Sequence, residues 1–77
     1  NQDPALKRAL EHPKRLEIFD YLTEKGGADE GELAEALDLT VLSVRYHLSV
    51  LRDAGLILQS EDEEKAAPFY EAVSAGL

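Results

Sequence analysis

The sequence predicts a mainly α-helical fold closed by a small β-hairpin. Up to residue 54 the apolar residues recur at three- and four-residue spacing, the period of helices that lay one face on a core. Proline, glycine and small polar residues interrupt that pattern where helices would start and stop. Beyond Gly55 the pattern changes to two short runs rich in branched and aromatic residues, separated by a charged turn.

Asp3-Pro4 has the order of an N-cap followed by proline in the first helical turn, so a first helix is expected over 4–11. His12-Pro13 ends it, because the residue before proline is pushed out of the helical region, and Pro13 opens a second helix over 13–25. There Leu16, Phe19 and Leu22 recur every third residue with Ile18 beside them, which predicts an apolar stripe against the core. Gly26-Gly27 supplies the unhindered C-terminal cap. Asp29-x-x-Glu32 has the form of a reciprocal cap and places a third helix at 30–37, with Leu33, Ala34 and Leu37 inward. Asp38-Leu39 is read as a tight turn and Thr40 as the cap of a fourth helix over 41–54, whose inward stripe is Val41, Val44, Leu48 and Leu51. Gly55 fits a left-handed C-terminal cap, with Leu56 folding back onto the helix. The runs 56–60 and 67–73 then read as two strands joined by the turn 61–65, and Ala28 is expected to add a short strand.

Residues 32–57 carry the functional signal. Ala34 is small where two helices cross, Asp38 stands where a positive backbone angle is wanted, and Val44 packs the later helix on the earlier one. Together these spacings suit a helix-turn-helix. The segments HPKRLEIFDYL (12–22), ELAEALDLT (32–40) and VRYHLSVLRDAGLI (44–57), with FYEA (69–72) at the end, resemble the ArsR-like winged helix-turn-helix family over nearly the whole chain. The run from Tyr46 to Leu56 is the most specific piece. The resemblance implies a transcriptional regulator that lays its fourth helix in the major groove of double-stranded DNA and sets a wing against the adjacent backbone.

With Val44, Leu48 and Leu51 inward, the fourth helix turns Leu42, Ser43, Arg45, Tyr46 and Ser49 outward. These five and Thr40 form the candidate DNA-binding set. Arg45 can pair with guanine or phosphate, Ser43 and Thr40 can donate to phosphate beside the helix N-terminus, and Leu42 can meet thymine methyls. His47 reads as a packing residue with a local hydrogen bond, and His12 as a helix-end residue. Arg15 reads either as a second DNA contact or as an internal ion-pair member beside Glu17, Asp20 or Asp53.

The charge balance opposes this function. Eight basic and sixteen acidic residues leave the chain at -8, whereas a nucleic-acid binder presents a basic face. The excess is local: residues 40–55 sum to +1, while 26–39 sum to -5 and 61–65 to -3. Glu61, Asp62, Glu63 and Glu64 stand where the family places basic wing residues, so the wing is expected to add little affinity. Their spacing is not that of a calcium loop.

Seventy-seven residues suit one compact domain spanning 1–77. No apolar run approaches the roughly 20 residues of a membrane span, and no signal-peptide layout is present, so a cytoplasmic protein without a membrane partner is expected. Without cysteine there are no disulfides, thiolate metal sites or cysteine nucleophiles. No phosphate loop or hydrolase motif points to an enzyme, and neither metal nor cofactor is implied. A chain that opens without methionine is compatible with a piece of a longer protein. The rival function is a winged helix used for protein contact, with Leu42, Tyr46 and the acidic turn meeting a partner. Assembly is expected to be a weak homodimer or a monomer, paired through Leu6 and Leu10 of the first helix, since SAGL (74–77) could only begin a further dimerising helix.

Overall fold

The computed structural model describes the backbone of residues 4–60 and 68–73 and the side chains of 7–60 and 68–73. The elements run α1 (Pro4–Glu11), α2 (Pro13–Lys25), β1 (Ala28–Asp29), α3 (Glu30–Leu37), α4 (Val41–Asp53), β2 (Ile57–Ser60) and β3 (Phe69–Ala72). This is the expected order, with α4 ending at Asp53 instead of residue 54, the first hairpin strand starting at Ile57 instead of 56, and the second running Phe69–Ala72 within the expected 67–73. The acidic turn 61–65 and the SAGL segment lie outside the described residues.

Each boundary has a chemical cause. His12 takes extended backbone angles and its Nδ1 accepts from the Lys14 N–H at 3.2 Å, capping α2 directly after α1 ends. Gly26, at φ 81°, closes α2 by donating its N–H to the Leu22 carbonyl. Asp29 accepts from the Glu32 N–H at 2.8 Å and starts α3. The reciprocal half of that cap is not made, because the Glu32 carboxylate instead accepts from the Tyr21 hydroxyl at 2.7 Å. At the end of α4 the Leu56 N–H reaches the Leu51 carbonyl and the Gly55 N–H the Arg52 carbonyl, with Gly55 at φ 79°. That pair of bonds is a Schellman cap, and it turns the chain into the sheet.

The sheet has three antiparallel strands in the order β1-β3-β2. Ala28 opposes Tyr70 and Asp29 opposes Phe69, so the short strand expected at Ala28 joins the hairpin. Gly27 makes that junction possible. A Cβ there would sit 2.4 Å from the Phe69 ring and 3.0 Å from the Tyr70 carbonyl oxygen. Gly26 alone therefore serves the cap, and Gly27 serves the close approach of the sheet.

The core lies where the helices meet the sheet: Ile18 and Leu22 of α2, Leu33 of α3, Val44, Leu48 and Leu51 of α4, and Ile57 of β2 are fully buried. Burying each such side chain is worth about 1.5–3 kcal/mol. Two inward assignments fail. Leu16 is 40% exposed, because the buried arc of α2 runs through Arg15, Ile18 and Leu22. Hydropathy gave the inward place to the leucine, while the fold gives it to the neighbouring arginine. Val41 is likewise 40% exposed. It opens α4, and the buried positions of that helix are Val44, His47, Leu48 and Leu51.

Candidate nucleic-acid interface

The turn between α3 and α4 is built on Asp38, the one described residue other than glycine in the left-handed region, at φ 55° and ψ 50°. Aspartate tolerates that conformation better than most side chains, as the helix-turn-helix reading required. Leu39 donates its N–H back to the Ala34 carbonyl at 2.9 Å, which closes the turn. Thr40 then caps α4, its Oγ1 accepting from the Ser43 N–H at 3.1 Å. Val44, Leu48 and Leu51 fix the rotation of α4 about its axis.

That rotation turns Leu42 outward at 74% exposure and Tyr46 at 60%, with the Arg45 side chain at 58%. Thr40 is exposed at the entry to the helix. Ser43 and Ser49 are half-buried, and the Ser49 hydroxyl donates to the Tyr46 carbonyl of its own helix at 2.7 Å. All six residues of the predicted set thus lie on or beside α4, with Leu42, Arg45 and Tyr46 projecting furthest.

Arg45 is already engaged. Its Nε and Nη2 donate to the two carboxylate oxygens of Glu30 at 3.0 and 2.9 Å, a bidentate pair. This pairing holds the Glu30 carboxyl below its ordinary range and raises the arginine further. Residue-by-residue reading of α4 could not find the pair, because Glu30 is fifteen positions away on the neighbouring helix α3. Arg52 was also missed. It lies seven residues after Arg45, two helical turns on along the same stripe, and its Nη1 donates to Gln59 Oε1 of β2 at 2.6 Å. The seven-residue spacing was the available signal.

His47 packs inward as expected, but its hydrogen bond is not local, and Arg15 takes neither of its predicted roles in the described structure. His47 is buried and its bond is long-range, Nδ1 accepting from Arg15 Nε at 3.3 Å. Arg15 is buried too, and Nη1 donates to the carbonyls of Arg8 and Ala9 at 3.3 and 3.4 Å. Among the described residues it makes no ion pair: the two that form are Lys14 with Glu17 and Arg45 with Glu30. The physical reason is its position beneath the end of α1. The last carbonyls of a helix lack intrahelical partners and carry the negative end of its dipole, so a guanidinium there satisfies both needs. The His12 ring lies 4.7 Å from the His47 ring, and the Tyr46 ring stands 5.8 Å from the Arg15 guanidinium carbon. Burial, then His12, then Arg15 push the His47 pKa below its ordinary value.

Among the described residues no three histidines, aspartates or glutamates group as a metal site, and no helix is long and apolar enough to cross a membrane.

A family model described as a helix-turn-helix domain matches residues 10–59. The chain is 38% identical over 64 residues to the HTH-type transcriptional regulator YgaV of Escherichia coli K12, covering 83% of this chain and 65% of that protein. It is 40% identical over 50 residues to the arsenical resistance operon repressor of Bacillus subtilis, covering 65% of this chain and 48% of the repressor. The chain therefore spans less than two thirds of either relative. The solved structure of reduced HlyU from Vibrio cholerae superposes with a TM-score of 0.82 at 28% identity, covering 92% of this chain and 72% of HlyU.

Proposed function

The chain belongs to the ArsR-like winged helix-turn-helix family, and from that premise we propose that it binds double-stranded DNA as a transcriptional regulator, with α4 in the major groove. The observation that carries this reading is the outward row of Leu42, Arg45 and Tyr46 on a helix held at both ends by caps and along its inner face by the core. A rigid helix with an apolar group, a guanidinium and a phenol facing out has the means to read base edges. Arg45 addresses guanine, Leu42 thymine methyls, and the hydroxyls of Thr40 and Ser43 the phosphates at the helix entry.

The acidity of the chain limits what this surface does. α3 carries Glu30, Glu32 and Glu35, so phosphate attraction comes from few cations and selectivity rests on base contacts. Binding as a two-fold dimer would set two α4 helices about 34 Å apart on successive major grooves. Of the two residues proposed for that dimer, the Leu6 side chain lies outside the described residues, and Leu10 is half-buried against the chain's own core. This leaves α1 with less free apolar surface than its sequence offered, which supports weak self-association.

Titrating the chain with random duplex DNA across a salt series tests the proposal. Binding at low salt that weakens as salt rises is expected, and no binding even at the lowest salt would overturn it in favour of a protein-contact domain. Once a preferred duplex has been selected, Arg45→Ala is expected to weaken binding roughly tenfold to a hundredfold and to relax preference at one base pair. Unchanged affinity and preference would remove Arg45 from the readout set.

A further inference from the structure

Resting on the DNA reading above, we infer that Glu30 is a positioning residue for base selection: it grips the side-on edge of the Arg45 guanidinium and leaves the end-on edge for guanine.

A guanidinium has five N–H groups arranged on a planar fork. Glu30 takes one from Nε and one from Nη2 through its two oxygens. The second Nη2 hydrogen and both Nη1 hydrogens remain, and no acceptor among the described residues takes them. That remaining edge offers two parallel N–H groups, the geometry that matches the O6 and N7 acceptors of guanine. Glu30 thus occupies the side-on edge and leaves the end-on edge pointing away from itself, on a side chain 58% exposed.

Glu30 is suited to hold rather than merely to meet its partner. It is the first residue of α3, and its backbone is fixed on one side by the pairing of Asp29 with Phe69 and on the other by the Asp29 cap. Its own side chain is only 15% exposed, so the carboxylate has little room to leave. An unheld arginine on a helix surface samples many rotamers, and ordering it on DNA costs conformational entropy. Here that ordering precedes binding. The carboxylate also cancels most of the charge that would draw Arg45 to any phosphate, so the side chain keeps its directional donors and loses its unselective attraction.

The two effects give opposite signs in one variant. Glu30→Gln removes a negative charge at the interface, so affinity for random duplex is expected to rise about two- to fivefold with a steeper salt dependence. Discrimination between the preferred duplex and the same duplex with its guanine replaced is expected to fall about five- to tenfold. In the Arg45→Ala background, Glu30→Gln should leave discrimination unchanged, because Glu30 acts through Arg45 alone. Denaturation midpoints of all four proteins, measured alongside, separate positioning from damage to the fold.

If Glu30 only masks Arg45, Glu30→Gln raises affinity for preferred and random duplex together with discrimination kept or increased, and the inference is overturned. A loss of discrimination that persists without Arg45 overturns it equally. If the unchanged chain binds no duplex at low salt, the DNA reading itself falls, an outcome distinct from binding without a role for Glu30.

Discussion

Arg15 and Arg45 carry the same guanidinium and are held in opposite ways. Arg15, on the seam of α1, α2 and α4, is buried against two helix-end carbonyls and the neutral nitrogen of His47. Arg45, on the seam of α3 and α4, is exposed and gripped by a carboxylate. The sequence suggested a DNA contact or an ion pair for Arg15, and for Arg45 an outward place with DNA as its partner. Burial explains the difference. A carboxylate buried beside Arg15 would itself have to be desolvated, whereas carbonyls at the end of α1 need a donor in any case. At the surface the carboxylate remains partly hydrated and adds direction to the arginine more than stability. The first seam builds the fold and the second aims a side chain.

The comparison is tested most severely by Arg15→Ala. Removing this donor strips the part-buried carbonyl of Arg8, the buried carbonyl of Ala9 and the His47 nitrogen of their partner, so a loss of about 2–4 kcal/mol is expected in urea denaturation. Lysine should restore less than half of it, since an ammonium lacks the planar fork that spans three acceptors. A loss below about 0.5 kcal/mol would show that Arg15 is only a packed surface cation.

The next effect is smaller and depends on pH. His47 accepts from Arg15 only while its Nδ1 is unprotonated, and its neighbours His12, Arg15 and Tyr46 offer no anion to stabilise an imidazolium. Its folded pKa is lowered from the ordinary 6.5, so in acid the unfolded chain takes up the proton first. The stabilisation is then complete above pH 6.5 and is lost as pH falls from there through the folded value. A single proton sets the slope at no more than about 1.4 kcal/mol per pH unit. His47→Gln, which keeps an acceptor but does not titrate, should flatten this part of the stability profile. An unchanged profile in that variant would assign the acid sensitivity elsewhere.

The contrast between the two arginines also marks what the sequence could disclose. Elements set by local chemistry were legible: His12-Pro13, Thr40 and Gly55 each announce a helix end, and Asp38 the turn. Residues that depend on distant partners were not. Arg15 was read as a second DNA contact or an internal ion-pair member, because its true partners are main-chain carbonyls that no side-chain pattern displays. Glu30 was counted only among the acids of 26–39, because its meeting with Arg45 depends on how α3 packs on α4. Gly27 looked like half of a cap, since Phe69 lies far along the chain. The outward face of α4 was legible because one helical period fixes it. Which of its groups are already held was not.

The smallest expected effect bears on the Arg45 seam. Glu30→Gln should leave the denaturation midpoint nearly unchanged near neutral pH, because the arginine half of the pair is exposed and solvent and salt screen most of the attraction. The pair contributes only where Glu30 is ionised. Its carboxyl lies below the ordinary 4.5, first through the Arg45 hydrogen bond, so any contribution is present above that value and lost as pH falls through the folded one. That window opens at 4.5, lower than the His47 window, which opens at 6.5. A stability profile of the chain should therefore show two acid-side components, the upper removed by His47→Gln and the faint lower one by Glu30→Gln. If Glu30→Gln instead destabilised the chain as much as Arg15→Ala does, the α3–α4 pair would be a structural clamp, and the division between a seam that folds and a seam that aims would fail.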